Sequence, residues 1–265
     1  MAKRTQKGKK ELVLTLRMAM WGGIALLGMS LVIGAMRRKE NAPVKDILIE
    51  VAPLPNGHYL IDSSDVSRIL QERFAPPLNM FTIGKVDVER LERVLEEDPF
   101  VLAAEAFIDA QDRINIHITQ RQPVLRVMDN NDLNYYLDAQ GNKIPPSKHY
   151  AARVVVVTGN VPPWEEGFLE NDKHLLAHIF ELSHILREDP FLNALIEQIY
   201  VTKKGELVLS PKVGKQIIYF GRYQEAHDKL KRLKVFYREG LPYKGWDAYK
   251  SFDLRYKGQV VCTKR

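Results

Sequence analysis

Hydrophobic and polar positions change rhythm along this chain. From Met18 to Met36 nineteen residues pass without a charge. At about 1.5 Å rise per residue such a helix spans roughly 28 Å, close to the ~30 Å hydrocarbon core of a bilayer. After a polar break at Lys39-Glu40-Asn41-Ala42-Pro43, Ile47, Ile49 and Val51 alternate as one strand face. Val66, Ile69, Leu70 and Phe74 then recur at helical spacing behind Asp62-Ser63-Ser64, whose side chains suit an N-cap. Pro76-Pro77 ends that helix. Asp87 caps a second one through Val88, Leu91, Val94 and Leu95, and Asp98-Pro99 stops it. Two strands follow, Val101 to Ile108 and Arg113 to Thr119. The second puts Ile114, Ile116 and Ile118 on one face and Asn115, His117 and Thr119 on the other. The order β-α-α-β-β predicts a small α+β unit with helices on one face.

From Pro123 the chain turns strand-rich. Val124–Met128, Leu133–Leu137, Val154–Val157, Ile199–Thr202, Leu207–Ser210 and Ile217–Phe220 read as strands. A helix is expected from about Asn171 to Arg187 and another from Gln224 to Glu239. The latter carries Ala226, Leu230, Leu233 and Tyr237 on one face. The chain closes with a strand Ser251 to Tyr256, a turn at Lys257-Gly258 and a short strand Gln259 to Thr263. The expected fold class is α+β, with an N-terminal transmembrane helix, a β-α-α-β-β domain and a β-rich domain carrying two main helices.

Charge sharpens the reading of the N-terminus. The net charge of +6 suggests nucleic acid at first sight. Yet residues 1–39 hold nine of the 39 Lys/Arg and only one of the 33 Asp/Glu. The remaining 30 basic and 32 acidic residues leave the long domain without a polynucleotide footprint. The basic excess flanks the apolar run, where it sets topology. Six cations precede the run and four follow it, counting Lys45, which favours a cytoplasmic N-terminus. A cleaved signal peptide would have a shorter apolar region and a small-residue cleavage site. The run therefore reads as a single-pass anchor. Cys262 is the single cysteine, so no intrachain disulfide is possible.

Chemistry is sparse. The chain has no GxSxG elbow, phosphate loop, GxGxxG or CxxC. His174, His178 and Glu181 fall at i, i+4 and i+7, a spacing that could bring two imidazoles to one ion. However, Leu175 stands where a zinc hydrolase would carry its base, and the triplet reads instead as a solvated polar face opposite Leu175, Leu176, Ile179, Leu182 and Leu186. His117 is expected at the surface, and no catalytic residue, metal or cofactor is assigned. The chain reads as a binding module. Its terminal strands, if they lie at a sheet edge, offer unpaired backbone to a partner strand beside Arg255 and Tyr256; a central, covered position is the alternative.

At this point the residues resemble a known family, the FtsQ/DivIB cell-division proteins of bacteria. The resemblance spans nearly the whole chain. Its first part is the POTRA pattern, running from Ser64-Asp65-Val66 through Asn79-Met80-Phe81, Leu91 and Pro99-Phe100-Val101 to the Ile114/Ile116/Ile118 strand. That part ends in Gln120-Arg121-Gln122-Pro123-Val124, where the family commonly has Glu-Arg-x-Pro; Gln120 replaces the acid, and Phe100 stands where Trp is frequent. The turn Asp138-Ala139-Gln140-Gly141 is similar to the family's D-x-x-G. Gly221-Arg222, Lys229-Leu230, Leu233 and Asp253-Leu254-Arg255-Tyr256 complete the set.

The resemblance implies a non-catalytic divisome scaffold in the bacterial inner membrane. Its domains would be a basic cytoplasmic tail (1–17), a transmembrane helix (18–36), a POTRA-type domain (44–121) and a β-rich domain (122–265). The bulk would be periplasmic and enriched at the division septum. It would bind FtsB- and FtsL-type membrane proteins and other divisome components and help control septal peptidoglycan synthesis. The partner-binding residues implied are Arg255, Tyr256, Val260 and Val261. Two other readings stay open: a membrane-anchored POTRA module for protein transport or assembly, and an anchored metal-dependent cell-wall hydrolase using His174 and His178.

Overall fold

A computed structural model of the protein describes residues 20–21, 23–24, 26–34, 36–128 and 133–265. The expected basic tail 1–17 and the start of the apolar run lie outside the described residues. The described positions of that run are helical, and the helix continues to residue 40. Among the described residues no helix is long and apolar enough to cross a membrane. The chain divides into two compact units. One comprises Met1–Val51, Asp62–Glu97 and Ala103–Ile118, the other Ala52–Ile61, Asp98–Leu102 and Thr119–Arg265.

The three-stranded sheet takes the expected β-α-α-β-β order: β1 (Asp46–Ala52), α1 (Ser63–Arg73), α2 (Val88–Glu96), β2 (Val101–Ile108) and β3 (Arg113–Gln120). β3 lies centrally, in the order β1-β3-β2. Both helices start where a carboxylate accepts an orphan amide: Asp62 from the N–H of Asp65, and Asp87 from that of Arg90. Ile114, Ile116 and Ile118 are buried with Val66, Leu70, Leu91 and Leu95, while His117 lies outside, stacked on Phe107 and 3.2 Å from Glu50. Period-2 and period-3.6 patterning thus meet in one core.

Among the described residues the second sheet has nine strands. In chain order they are β4 (Leu125–Met128), β5 (Asn134–Leu137), β6 (Lys143–Ile144), β7 (Val155–Gly159), β8 (Ile196–Val201), β9 (Leu207–Pro211), β10 (Ile217–Gly221), β11 (Tyr249–Asp253) and β12 (Val261–Lys264). Across the sheet the order is β12-β11-β10-β9-β8-β7-β4-β5-β6. The β4–β7, β7–β8 and β10–β11 pairs are parallel and the other pairs antiparallel. Helices occupy two of the crossovers. Between β7 and β8 run α3 (Leu175–Glu188) and α4 (Pro190–Leu195); between β10 and β11 run α5 (Ala226–Val235), a π-helical turn (Phe236–Gly240) and α6 (Leu241–Lys244). Leu176, Ile179, Leu182 and Leu186 of α3 and Leu230 and Leu233 of α5 join the sheet's Val127, Val157, Ile199, Leu209 and Phe252 in one apolar cluster.

Several elements depart from the sequence expectation. α3 begins at Leu175 rather than near Asn171, because the Asn171 side chain accepts the N–H of Lys173 and turns the chain there. The short α4 was not expected; Asp189 caps it by accepting from Phe191 and Leu192, with Pro190 in its first turn. The expected strand Ser251 to Tyr256 is shifted to Tyr249–Asp253. It ends where Asp253 takes the N–H of Arg255 into a local turn. The last strand starts at Val261, two residues later than expected.

Gln120, the residue that departs from the family's acid, is 5% exposed. Its Oε1 accepts the N–H groups of Leu60 at 2.6 Å and Ile61 at 3.2 Å, and its Nε2 donates to the Ala52 carbonyl at 2.7 Å. An ionised glutamate would make the first two contacts and could not make the third.

Candidate functional site: the terminal edge strand

β12 is the outermost strand of the nine-stranded sheet. Among the described residues it pairs with β11 alone, in the register Ser251↔Thr263, Phe252↔Cys262 and Asp253↔Val261. Its other side presents backbone donors and acceptors to no sheet neighbour, the condition under which another strand can add. Val260 and Cys262 lean on the apolar cluster, whereas Val261 and Thr263 face outward. Burial pushes the Cys262 thiol up.

Arg255 and Tyr256 stand in the loop joining β11 to β12, not within a strand, and Val260 is the last loop residue. The Arg255 guanidinium grips Asp253 with Nη2 at 2.6 Å and Nε at 2.9 Å, and lies 3.7 Å from Glu206. It also covers the Tyr219 ring at 5.4 Å. Burial alone would raise the Asp253 carboxyl; the hydrogen bonds from Arg255 outweigh it and hold the group below the ordinary carboxylate value. The Arg255 stem lies over Gly221, whose φ of +77° suits glycine and where a Cβ would come 2.7 Å from Arg255 Cγ. Tyr256 projects outward, with about half its surface exposed.

One residue organises this loop and was not singled out in the sequence. Arg232 of α5 donates Nη1 to the carbonyls of Tyr256, at 3.0 Å, and Gln259, while Nη2 reaches the carbonyl of Leu254 at 3.4 Å. Its Nε is held by Asp228 at 2.8 Å. The partners are 22 to 27 residues away along the chain, so no local spacing announces them. Between α5 and the loop lies a groove of about 550 Å³ lined by Val235, Phe236, Gly258 and Val260 together with Lys231 and Glu239.

The histidine triplet is taken up in packing. His174 precedes α3 with its ring against Phe168. His178 contacts the Asp172 carbonyl through Nε2 at 2.7 Å and stacks on Tyr223. Burial together with Glu181 pushes the Tyr223 hydroxyl up to about 12. This arrangement ties Glu181 to a tyrosine beside His178.

Comparison with known proteins gives two matches, which together cover nearly all of the chain from residue 44 onward. A POTRA-like domain matches residues 44–119. The family described as FtsQ/DivIB, C-terminal related matches residues 122–263, more than half of the chain. No curated protein matches. Domains of both kinds are generally non-catalytic scaffolds, and the FtsQ/DivIB assignment implies a role in cell division. A β-rich region closing on an edge strand, preceded by a POTRA-like domain, thus has its place among known sequences: the chain belongs to the FtsQ/DivIB, C-terminal related family.

Proposed function

We propose that this protein is a membrane-anchored divisome scaffold that receives a strand of an FtsB-type partner along the free side of β12. The observation that carries the reading is the place of β12 at the end of the nine-stranded sheet. Main-chain pairing supplies affinity there, and Val261 and Tyr256, both exposed, supply side-chain selection. Arg255 is neutralised by Asp253 and positions the loop, while an FtsL-type protein joins through the same complex.

The anchor is the helix that starts in the Met18 to Met36 run. Its described large apolar side chains are all exposed, with Trp21, Leu26, Leu27, Met29 and Leu31 each more than half so, a pattern that suits lipid rather than water. With the N-terminus cytoplasmic, the chain from residue 44 onward lies on the outer side of the inner membrane, enriched at the septum, where the complex helps control peptidoglycan synthesis. The protein itself performs no catalysis and takes no cofactor.

The test is co-purification of the full chain with its own FtsB- and FtsL-type partners, wild type against Tyr256→Asp. The variant is expected to melt like wild type and to bind at least about tenfold more weakly, a difference of ~1.4 kcal/mol. Undiminished capture would remove this site from the interface.

A further inference from the structure

The segment between the N-terminal helix and β1 is bonded at nearly every residue. Asn41 closes the helix, both its N–H and its Nδ2 donating to the Arg37 carbonyl, at 3.2 and 2.9 Å. The Ala42 carbonyl accepts the N–H of Ile83 at 2.8 Å, and the N–H of Val44 donates to Phe81 at 3.1 Å, making an antiparallel bridge of Pro43 with Thr82. Val44 is buried. Lys45 is held by Asp112 through its N–H and its ammonium group, both at 3.0 Å, and β1 starts at the next residue. Such a connection leaves no free hinge between the helix and the sheet that follows it.

The bridge also fixes which part of the unit comes nearest the helix. Residues 42 to 44 lead away from the helix, so the antiparallel segment 81 to 83 returns toward it. The 3-10 turn Ile83–Lys85, closed by Lys85 N–H on the Thr82 carbonyl at 2.8 Å, is where that return ends. Gly84 fits directly against the last helical residue: a Cβ there would lie 3.0 Å from Glu40 Cβ and 3.1 Å from its carbonyl oxygen. Met36 to Glu40 adds about 6 Å of helix beyond the apolar run, and the headgroup layer on each side of a bilayer is roughly 5–8 Å deep. The turn and the end of the helix therefore share one level.

We propose that the turn Ile83–Lys85 is a foot by which the first unit rests on the bilayer surface, contacting phospholipid headgroups. The inference depends on the anchor reading above. Charge selects the occupant: Arg37, Arg38, Lys39 and Lys85 are all exposed around this point, with Glu40 the adjoining acid. Cations at this depth form charge-assisted hydrogen bonds with headgroup phosphates, and the stitched backbone presents them without a further backbone-ordering cost. The unit is thereby held at one attitude to the membrane rather than swinging on a tether.

The test uses the full chain with Cys262→Ser, reconstituted in vesicles of two parts phosphatidylcholine to one part phosphatidylglycerol. A bimane is placed in turn at Lys85→Cys, at Ser63→Cys and at Leu27→Cys, with nitroxide quenchers on headgroups or acyl chains. Ser63 opens α1; Leu70 and Gln71, farther along it, border the start of β1 at Lys45 and Asp46, so Ser63 belongs to the distal end. Headgroup quenching at position 85 is expected to exceed that at position 63 at least threefold, with position 27 quenched from the acyl chains. Equal quenching at 85 and 63 while 27 is quenched would overturn the foot and leave the anchor standing. An unquenched position 27 would overturn the anchor and the foot with it.

Discussion

Arg121 donates Nη1 to Asp138 Oδ2 at 2.8 Å, joining two motifs that lie apart in the sequence. Asp138 is 1% exposed. Its Oδ1 accepts the N–H groups of Gln140 and Asn142, and Oδ2 also takes Asn142 Nδ2. The arginine of the Gln-Arg-x-Pro segment thus neutralises the carboxylate that builds the D-x-x-G turn. Gly141 completes the turn at a φ of +82°.

Removing this carboxylate strands a partly buried guanidinium and three donors. Asp138→Ala is expected to lower unfolding stability by about 3–5 kcal/mol, as for other broken buried pairs. Urea denaturation checks it; a loss within the range of an exposed ion pair would show that the charge relaxes into solvent.

Arg232 should matter more for the shape of the edge than for the fold. Arg232→Ala removes the clamp on the carbonyls of Leu254, Tyr256 and Gln259 and is expected to cost about 1–3 kcal/mol. Faster amide hydrogen exchange across 260–263 and weaker partner capture should accompany it. Arg232→Lys, lacking the planar fork, should restore little of either.

Tyr237 has a buried hydroxyl with no hydrogen-bond partner among the described residues, and burial raises its ionisation well above the ordinary tyrosine range. Its ring packs edge-on against Phe191, Trp246 and Phe252. Tyr237→Phe keeps the ring and discards the unpaired group, so it should be neutral or stabilise by up to about 1 kcal/mol. Tyr237→Ala should destabilise by roughly 3–5 kcal/mol. Thermal and chemical melts of the two variants separate hydroxyl from ring.

Acid should weaken the second unit through His184. Burial, and then Arg187, lowers the imidazole below its ordinary value of 6.5; its Nε2 is buried without a partner among the described residues, and Arg187 Nη2 sits 3.0 Å from Nδ1. The folded state therefore holds the neutral ring while the unfolded state protonates first. That contribution is full above about pH 6.5 and is lost as pH falls through this value toward the depressed one. Wild type should show a lower denaturation midpoint at about pH 5.5 than at about pH 7.5, and His184→Gln should flatten the difference. An unchanged slope in the variant would assign the effect elsewhere.

What was readable locally is what depends on a few neighbouring residues. The strand with Ile114, Ile116 and Ile118 on one face follows from a two-residue period, and α1 and α2 begin at Asp62 and Asp87 because those carboxylates face the orphan amides of a first turn. The short α4 carries a similar signal in Asp189-Pro190, masked by apolar residues that merge with the strand that follows. A terminal edge beside Arg255 and Tyr256 is one of two readings of the closing strands, and the family resemblance favours it with Val260 and Val261; nothing in their spacing distinguishes an edge from a centre.

Tertiary structure decided the rest. β11 enters beside β10, in parallel, after a crossover that contains α5 and α6, and only that placement leaves β12 outermost. Arg232 acquires its role from carbonyls brought back to it by the same crossover. Periodicity is a property of residues a turn or a pleat apart, and the sequence alone determined which faces of this chain seek a core. Strand order depends on how distant faces are buried together, and it was packing that left one backbone edge open and shaped the loop beside it.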